Sequence, residues 1–209
     1  MKGIFIVVEG IDGCGKGEQI KRLHNYLFEF NKKNRILTTR EPTYGIYGLQ
    51  IRELLRTEKD PHTGAEKCLE LYTKDREEHL KNVVMPFLNL KDGNDQNIVL
   101  CDRYYHSTYA FQQAQGIKFD RIYEFNKNFL KPTITFIIDL PPDAALRRIT
   151  SGRGSSEKFE KLSFMERLRK NYLELPEKLA EDIVIIDGSK SRETVFESIL
   201  DVLKNKKII

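Results

Sequence analysis

The opening of the chain limits the folds open to it more than any other segment. Ile4-Phe5-Ile6-Val7-Val8 is a short apolar run rich in β-branched residues, the signature of a buried strand. Gly10-Ile11-Asp12-Gly13-Cys14-Gly15-Lys16 follows, and from residue 15 to 30 the apolar residues Ile20, Leu23, Leu27 and Phe30 recur at helical spacing. This strand–loop–helix fits every position but the last of the pattern G-x-x-x-x-G-K-[ST]. Glycines let successive backbone N–H groups turn inward on phosphate oxygens, and the helix N-terminus adds its dipole. Lys16 supplies a mobile positive charge for the outer phosphates. The residues expected around a nucleotide triphosphate are therefore Gly10, Ile11, Asp12, Gly13, Cys14, Gly15, Lys16, Gly17 and Glu18. The final position departs from the pattern. A Ser or Thr hydroxyl is expected there to ligate Mg2+, and this chain has Gly17 followed by Glu18. Glu18 is either a water-mediated magnesium ligand or a solvated first-turn acid favoured by the helix dipole.

The same alternation of strand and helix continues downstream. Strand patterns lie at 35–39, 98–101, 133–138 and 183–186, and helical patterns at 47–56, 64–89, 103–113, 119–129, 142–150, 161–179 and 191–204. Residues 91–95 and 151–156 read as loops. Strands apolar on both faces and separated by helices predict a parallel sheet covered on both sides. The expected fold is α/β: a three-layer α/β/α domain over 1–209 with five parallel strands, without internal repeat or linker.

Composition excludes several classes. The 35 basic and 31 acidic residues are scattered, giving a net charge of +4 and no basic stripe for nucleic acid. Cys14, Cys68 and Cys101 lack metal-ligand spacing and are odd in number, which fits a reducing, cytoplasmic setting. The N-terminal run is too short for a signal peptide, and no segment has the length for a membrane span.

Three clusters point to a phosphate acceptor. Arg40-Glu41-Pro42 ends the second strand and Asp102-Arg103-Tyr104 the third, at the strand ends where open parallel sheets meet ligands. Tyr72 and Arg76 lie one helical turn apart, placing a ring and a guanidinium on one helix face. A fourth segment, about 147–160, begins with Arg147-Arg148 and carries Arg153 within Ser151–Ser156. Arginines around a Gly/Ser hinge suit a lid that excludes water and brings cations to transferring phosphate.

In this order and spacing the motifs resemble the thymidylate kinase family along nearly the whole chain. The match runs from Glu9–Lys16 through Arg40-Glu41-Pro42, Leu71-Tyr72 and Asp75-Arg76. It continues with Asp102–Gln112, Asp139-Leu140-Pro141-Pro142, Arg147-Arg148 and Phe159-Glu160. The resemblance implies ATP as co-substrate, Mg2+ as cofactor and a pyrimidine deoxynucleoside monophosphate, dTMP above all, as acceptor. Asp12 is expected to accept from the acceptor's 3′-hydroxyl, and Arg40 and Arg103 to grip its phosphate, with Pro42 beside them. Tyr72, where the family usually has phenylalanine, is expected to stack on the base, and Arg76 to bond a base carbonyl. Ser107, Thr108 and Gln112 are expected to line the base and sugar pocket. Phe111 stands where the family often has a tyrosine crowding the ribose 2′ position.

Relatives carry a catalytic arginine in the phosphate loop or in the lid. With Gly13 and Cys14 in the loop, the expected catalytic set is Lys16, Arg103, Arg148 and Arg153. Asp102 and Glu160 are the carboxylates expected near Mg2+, directly or through water. Residues 186–189 are expected to wrap the adenine. A homodimer, packed through helices beside the acceptor site, is implied by analogy. Two alternatives remain open: a kinase for another monophosphate such as dUMP, dCMP or UMP, and a nucleotide-binding relative without turnover. The missing loop hydroxyl favours the second.

Overall fold

The computed structural model describes residues 3–58, 60, 62–91, 96–150 and 162–209. The first strand, β1 (Ile4–Glu9), is buried along its whole length because it is the middle strand of the sheet. Four parallel strands join it: β2 (Arg35–Arg40), β3 (Asn97–Asp102), β4 (Ile134–Asp139) and β5 (Ile183–Asp187), in the order β2-β3-β1-β4-β5. Register places Val8 beside Asp102, Arg40 beside Asp102, Glu9 beside Ile137 and Asp139 beside Asp187. Each strand ends on a charged residue, so every such residue emerges at the same rim of the sheet. β1, β3 and β4 are apolar on both faces as expected, whereas the edge strands β2 and β5 are only partly covered.

Helices flank the sheet in the three-layer arrangement. They are α1 (Lys16–Phe30), α2 (Ile46–Thr57), α3 (Ala65–His79), α4 (Met85–Leu88), α5 (Tyr105–Ala114), α6 (Phe119–Asn126), α7 (Pro142–Thr150), α8 (Leu162–Lys178) and α9 (Arg192–Asn205). α1 packs on α9, and α5 on α8. Ile20, Leu23 and Leu27 of α1 are buried as the pattern requires, but Phe30 is 62% exposed and stacks on Tyr26 instead. The expected 64–89 helix is continuous, but a π-helical turn at Leu80–Val84 separates α3 from α4. Pro86 just beyond has no N–H to give the ladder, and the spacing of the hydrogen bonds shifts there.

The helix expected from 103 starts two residues later. Arg103 has φ +70°, a left-handed conformation few side chains adopt, and Tyr104 is extended before α5 begins. The three cysteines are buried, and none is in a disulfide. Among the described residues no helix is long and apolar enough to cross a membrane.

Candidate active site

The loop leaving β1 is held tightly by its surroundings. Gly10 (φ +133°) would bring a Cβ within 2.6 Å of the Ile138 carbonyl oxygen, and Gly13 (φ +81°) within 2.6 Å of that of Ala145. Glycine is thus required where the loop presses between β4 and α7. Lys16, 7% exposed, turns its ammonium into the loop and donates to the carbonyls of Gly10 and Ile11, both at 3.1 Å. The Asp12 carboxylate lies 3.9 Å from the same nitrogen. Cys14 Sγ is also 3.9 Å away, and burial keeps its thiol protonated by raising its pKa. Glu18 pairs with Arg22 at 2.6 Å, and this hydrogen bond holds its carboxyl below the usual range. Arg22 reaches on to Glu193 of α9, so Glu18 belongs to a surface ion pair along α1.

Arg103 joins the loop to the acceptor side. Its Nη2 donates to Asp12 Oδ1 at 2.7 Å, and its Nη1 to Ser107 Oγ and Tyr172 OH, each at 3.0 Å. The guanidinium lies 5.1 Å from the centre of the Phe111 ring. Burial alone would lower the Arg103 pKa, but the carboxylates of Asp12 and Glu9 raise it well above normal, so the group stays charged. Asp12 is half exposed, which leaves carboxylate surface open to a ligand.

Arg40 is exposed at the end of β2. It shares a cavity of about 780 Å3 with Gly17, Thr43, His79 and Asp102. Asp102 Oδ1 is buried with no hydrogen-bond partner among the described residues. Pro42 is buried behind a cis Glu41–Pro42 bond. Tyr72 is half-buried on α3, and burial pushes its phenol pKa up.

Two of the residues expected at the base are held by protein partners. Arg76 is fully buried, and Nε, Nη1 and Nη2 donate to Glu41, Asn126 and Thr108 at 2.9, 2.7 and 3.0 Å. Glu41 is itself buried and bonds His79 at 3.0 Å, so Arg76 is the counter-charge that keeps this carboxylate inside the protein. Ser107, the second, is buried. Its hydroxyl donates to Glu9 at 2.7 Å and accepts from Arg103. Thr108, 1% exposed, accepts from Arg76, whereas Gln112 Nε2 donates to Gln115 at 2.8 Å and its Oε1 is buried with no hydrogen-bond partner among the described residues.

On the other side of β1, a cavity of about 590 Å3 is bounded by Gly13, Cys14, Gly15, Arg148, Gly188 and Arg192. Arg148 donates to the Gly188 carbonyl at 3.3 Å, which sets the segment after β5 beside the loop. Arg153, Glu160 and residues 151–156 lie outside the described residues. Among the described residues no group of three or more His, Cys, Asp or Glu side chains is spaced to hold a metal ion.

A family model described as "Thymidylate kinase" matches residues 8–199 of the chain. It thus spans the end of β1 and the loop after it, both strand-end arginines and α8. The chain belongs to the thymidylate kinase family. Among similar proteins is the thymidylate kinase of Brachyspira hyodysenteriae (strain ATCC 49526 / WA1), 36% identical over 211 residues, covering 100% of this chain and 97% of that one. That of Bacillus thuringiensis (strain Al Hakam) is 34% identical over 217 residues, with 99% of each chain covered. That of Leptospira interrogans serogroup Icterohaemorrhagiae serovar copenhageni (strain Fiocruz L1-130) is 36% identical over 203 residues, covering 96% of this chain and 94% of its own.

Within this thymidylate kinase frame, the structure adds residues that sequence reasoning passed over. Glu9, wholly buried, accepts from the backbone N–H groups of Tyr104 (2.7 Å) and Ser107 (3.1 Å), and from the hydroxyls of Ser107 and Tyr172. A charged residue ending an otherwise apolar strand was the available signal for Glu9. Tyr172 gave none, because an aromatic at helical spacing reads as plain core.

Proposed function

We propose that this chain catalyses ATP-dependent phosphorylation of dTMP to dTDP by direct phosphoryl transfer. The observation that carries the reading is the 2.7 Å bridge between Arg103 and Asp12. It joins the triphosphate loop holding Lys16 to the arginine at the acceptor side. ATP occupies the loop Gly10–Glu18, with Gly188 and Arg148 flanking the nucleoside end. The acceptor's phosphate meets Arg103 and Arg40, and its 3′-hydroxyl donates to Asp12. Tyr72 and Phe111 sandwich the nucleoside, and Gln112 Oε1 accepts from the base N3–H.

An oxygen of the acceptor monophosphate forms a bond to the γ-phosphorus while the bond from that phosphorus to the β–γ bridging oxygen breaks, releasing ADP. The nucleophile is already ionised, so no general base is required. Lys16, Arg103 and Arg148 are fixed cations matched to the charge spread over the transferring group. Arg153 is proposed as a further cation from the lid.

Asp102 is the residue proposed to hold Mg2+: it lines the same cavity as Gly17, and its buried Oδ1 has no hydrogen-bond partner among the described residues. Glu160 is its proposed companion. With neither Gly17 nor Glu18 giving a hydroxyl, water and phosphate oxygens supply the remaining ligands. When bound, the ion neutralises charge on the β- and γ-phosphates. We also place the enzyme in the cytoplasm as a homodimer. Tyr44 just ahead of α2, Ile46 and Leu49 in its first turn and Val83 in the π turn are 70, 63, 54 and 41% exposed, apolar surface that supports self-association.

The test is ADP formation from ATP·Mg2+ with a panel of monophosphates. Turnover with dTMP well above that with dUMP, dCMP or UMP is expected. Preference for a ribonucleotide overturns the acceptor assignment, and binding without turnover overturns the reading as an enzyme.

A further inference from the structure

Arg103 is held in place by more than its bridge to Asp12. Its backbone is left-handed, with the N–H donating to Val8 O at 3.1 Å, so the side chain leaves from a fixed point at the rim of the sheet. Both hydrogens of Nη1 then point at hydroxyls, those of Ser107 and Tyr172. Each hydroxyl hydrogen has an acceptor in Glu9 Oε2, at 2.7 and 3.0 Å, which leaves the hydroxyl lone pairs for the guanidinium. Tyr172 is 1% exposed and its pKa is raised well above normal, first by burial and then by the charge of Glu9. Its hydroxyl therefore keeps its proton at any working pH.

We propose that Tyr172 and Glu9 are positioning residues for acceptor-phosphate binding, fixing the Arg103 guanidinium through two hydroxyl relays. The buried carboxylate orients the hydroxyls, and the hydroxyls hold one end of the guanidinium fork. Nε and the second hydrogen of Nη2 are left to face the ligand. A free arginine loses rotamer entropy when it closes on a phosphate, and this one is already ordered. Neither Glu9 nor Tyr172 touches the substrate. The proposal rests on the reading of Arg103 as the residue that grips the acceptor phosphate.

The test uses steady-state kinetics of the full chain for wild type, Tyr172→Phe, Arg103→Lys and the double variant, with unfolding midpoints measured alongside. Tyr172→Phe keeps the ring and removes one hydroxyl. It is expected to raise the acceptor KM about tenfold, the scale of one hydrogen bond to a charged group, with the ATP KM within about twofold of wild type. In the Arg103→Lys background the same change should have little further effect, because the forked partner is gone. Glu9→Gln, which keeps the shape and removes the charge, should reproduce the acceptor-KM effect and serves if Tyr172→Phe does not fold. An unchanged acceptor KM in a folded Tyr172→Phe protein overturns the proposal, as does an equal effect with and without Arg103. If Arg103→Lys leaves the acceptor KM unchanged, the reading of Arg103 fails instead.

Discussion

Lys16 and Arg103 sit on the two sides of the proposed transfer, and their removal should be felt differently. Lys16→Ala removes a charge aimed at the triphosphate and should lower kcat by about 100- to 1000-fold. The fold should survive, since the lysine's bonds are to carbonyls of its own loop; circular dichroism and kcat on one preparation check both statements. Gly17 offers the opposite experiment. A Cβ built there meets nothing within 4 Å, so Gly17→Ser has room for the hydroxyl that the loop pattern expects. It should lower the Mg2+ concentration for half-maximal activity and stabilise the first turn of α1 by about 0.5 kcal/mol. A magnesium titration at fixed ATP and a urea melt give the two values. At this scale the sequence was informative where chemistry fixes a residue type at a fixed spacing, as in Gly10–Lys16. It was silent on partner choice: that Arg76 pairs with Glu41 depends on two helices and a strand end meeting in space.

At the scale of elements, the buried pair formed by α3 and the end of β2 is a stability feature. Arg76→Ala would strand Glu41 as an uncompensated buried charge, at a cost of about 3 to 5 kcal/mol, measurable as a fall in unfolding free energy in urea. Glu181, between α8 and β5, is a second carboxylate held by hydrogen bonds, here from α5. Tyr105 donates to it at 2.7 Å, and His106 bonds it at 3.1 Å. Burial opposes its ionisation, but the hydrogen bonds from His106 and Tyr105 outweigh burial, and its pKa falls below 4.5. A depressed carboxyl pKa stabilises the fold above about pH 4.5 and loses that contribution as pH falls below it. Glu181→Gln should therefore narrow the stability difference between pH 7 and pH 4, read from urea melts at both. All five strands and the helices between them were legible from apolar periodicity and Gly/Pro punctuation. The left-handed Arg103 and the π turn at Leu80–Val84 were not. The first is imposed by the hydrogen bond to β1, and the second lies inside an unbroken helical pattern.

For the molecule as a whole, the exposed apolar face on α2 makes association testable. Ile46→Asp with Leu49→Glu should convert a dimer into monomers in sedimentation velocity, without lowering the unfolding midpoint by more than a few degrees, since both residues are solvent-facing. The order of strands has a separate consequence for kinetics. β1 runs down the centre, with Arg40 and Asp102 emerging on the β2–β3 side and Arg148 and Gly188 bounding the cavity on the β4–β5 side. Two nucleotides taking the proposed sites would enter from opposite flanks and would not block one another's path. Initial-rate lines should then intersect and never run parallel, binding should follow either order of addition, and a single molecule carrying both nucleosides on one polyphosphate bridge should compete with each substrate.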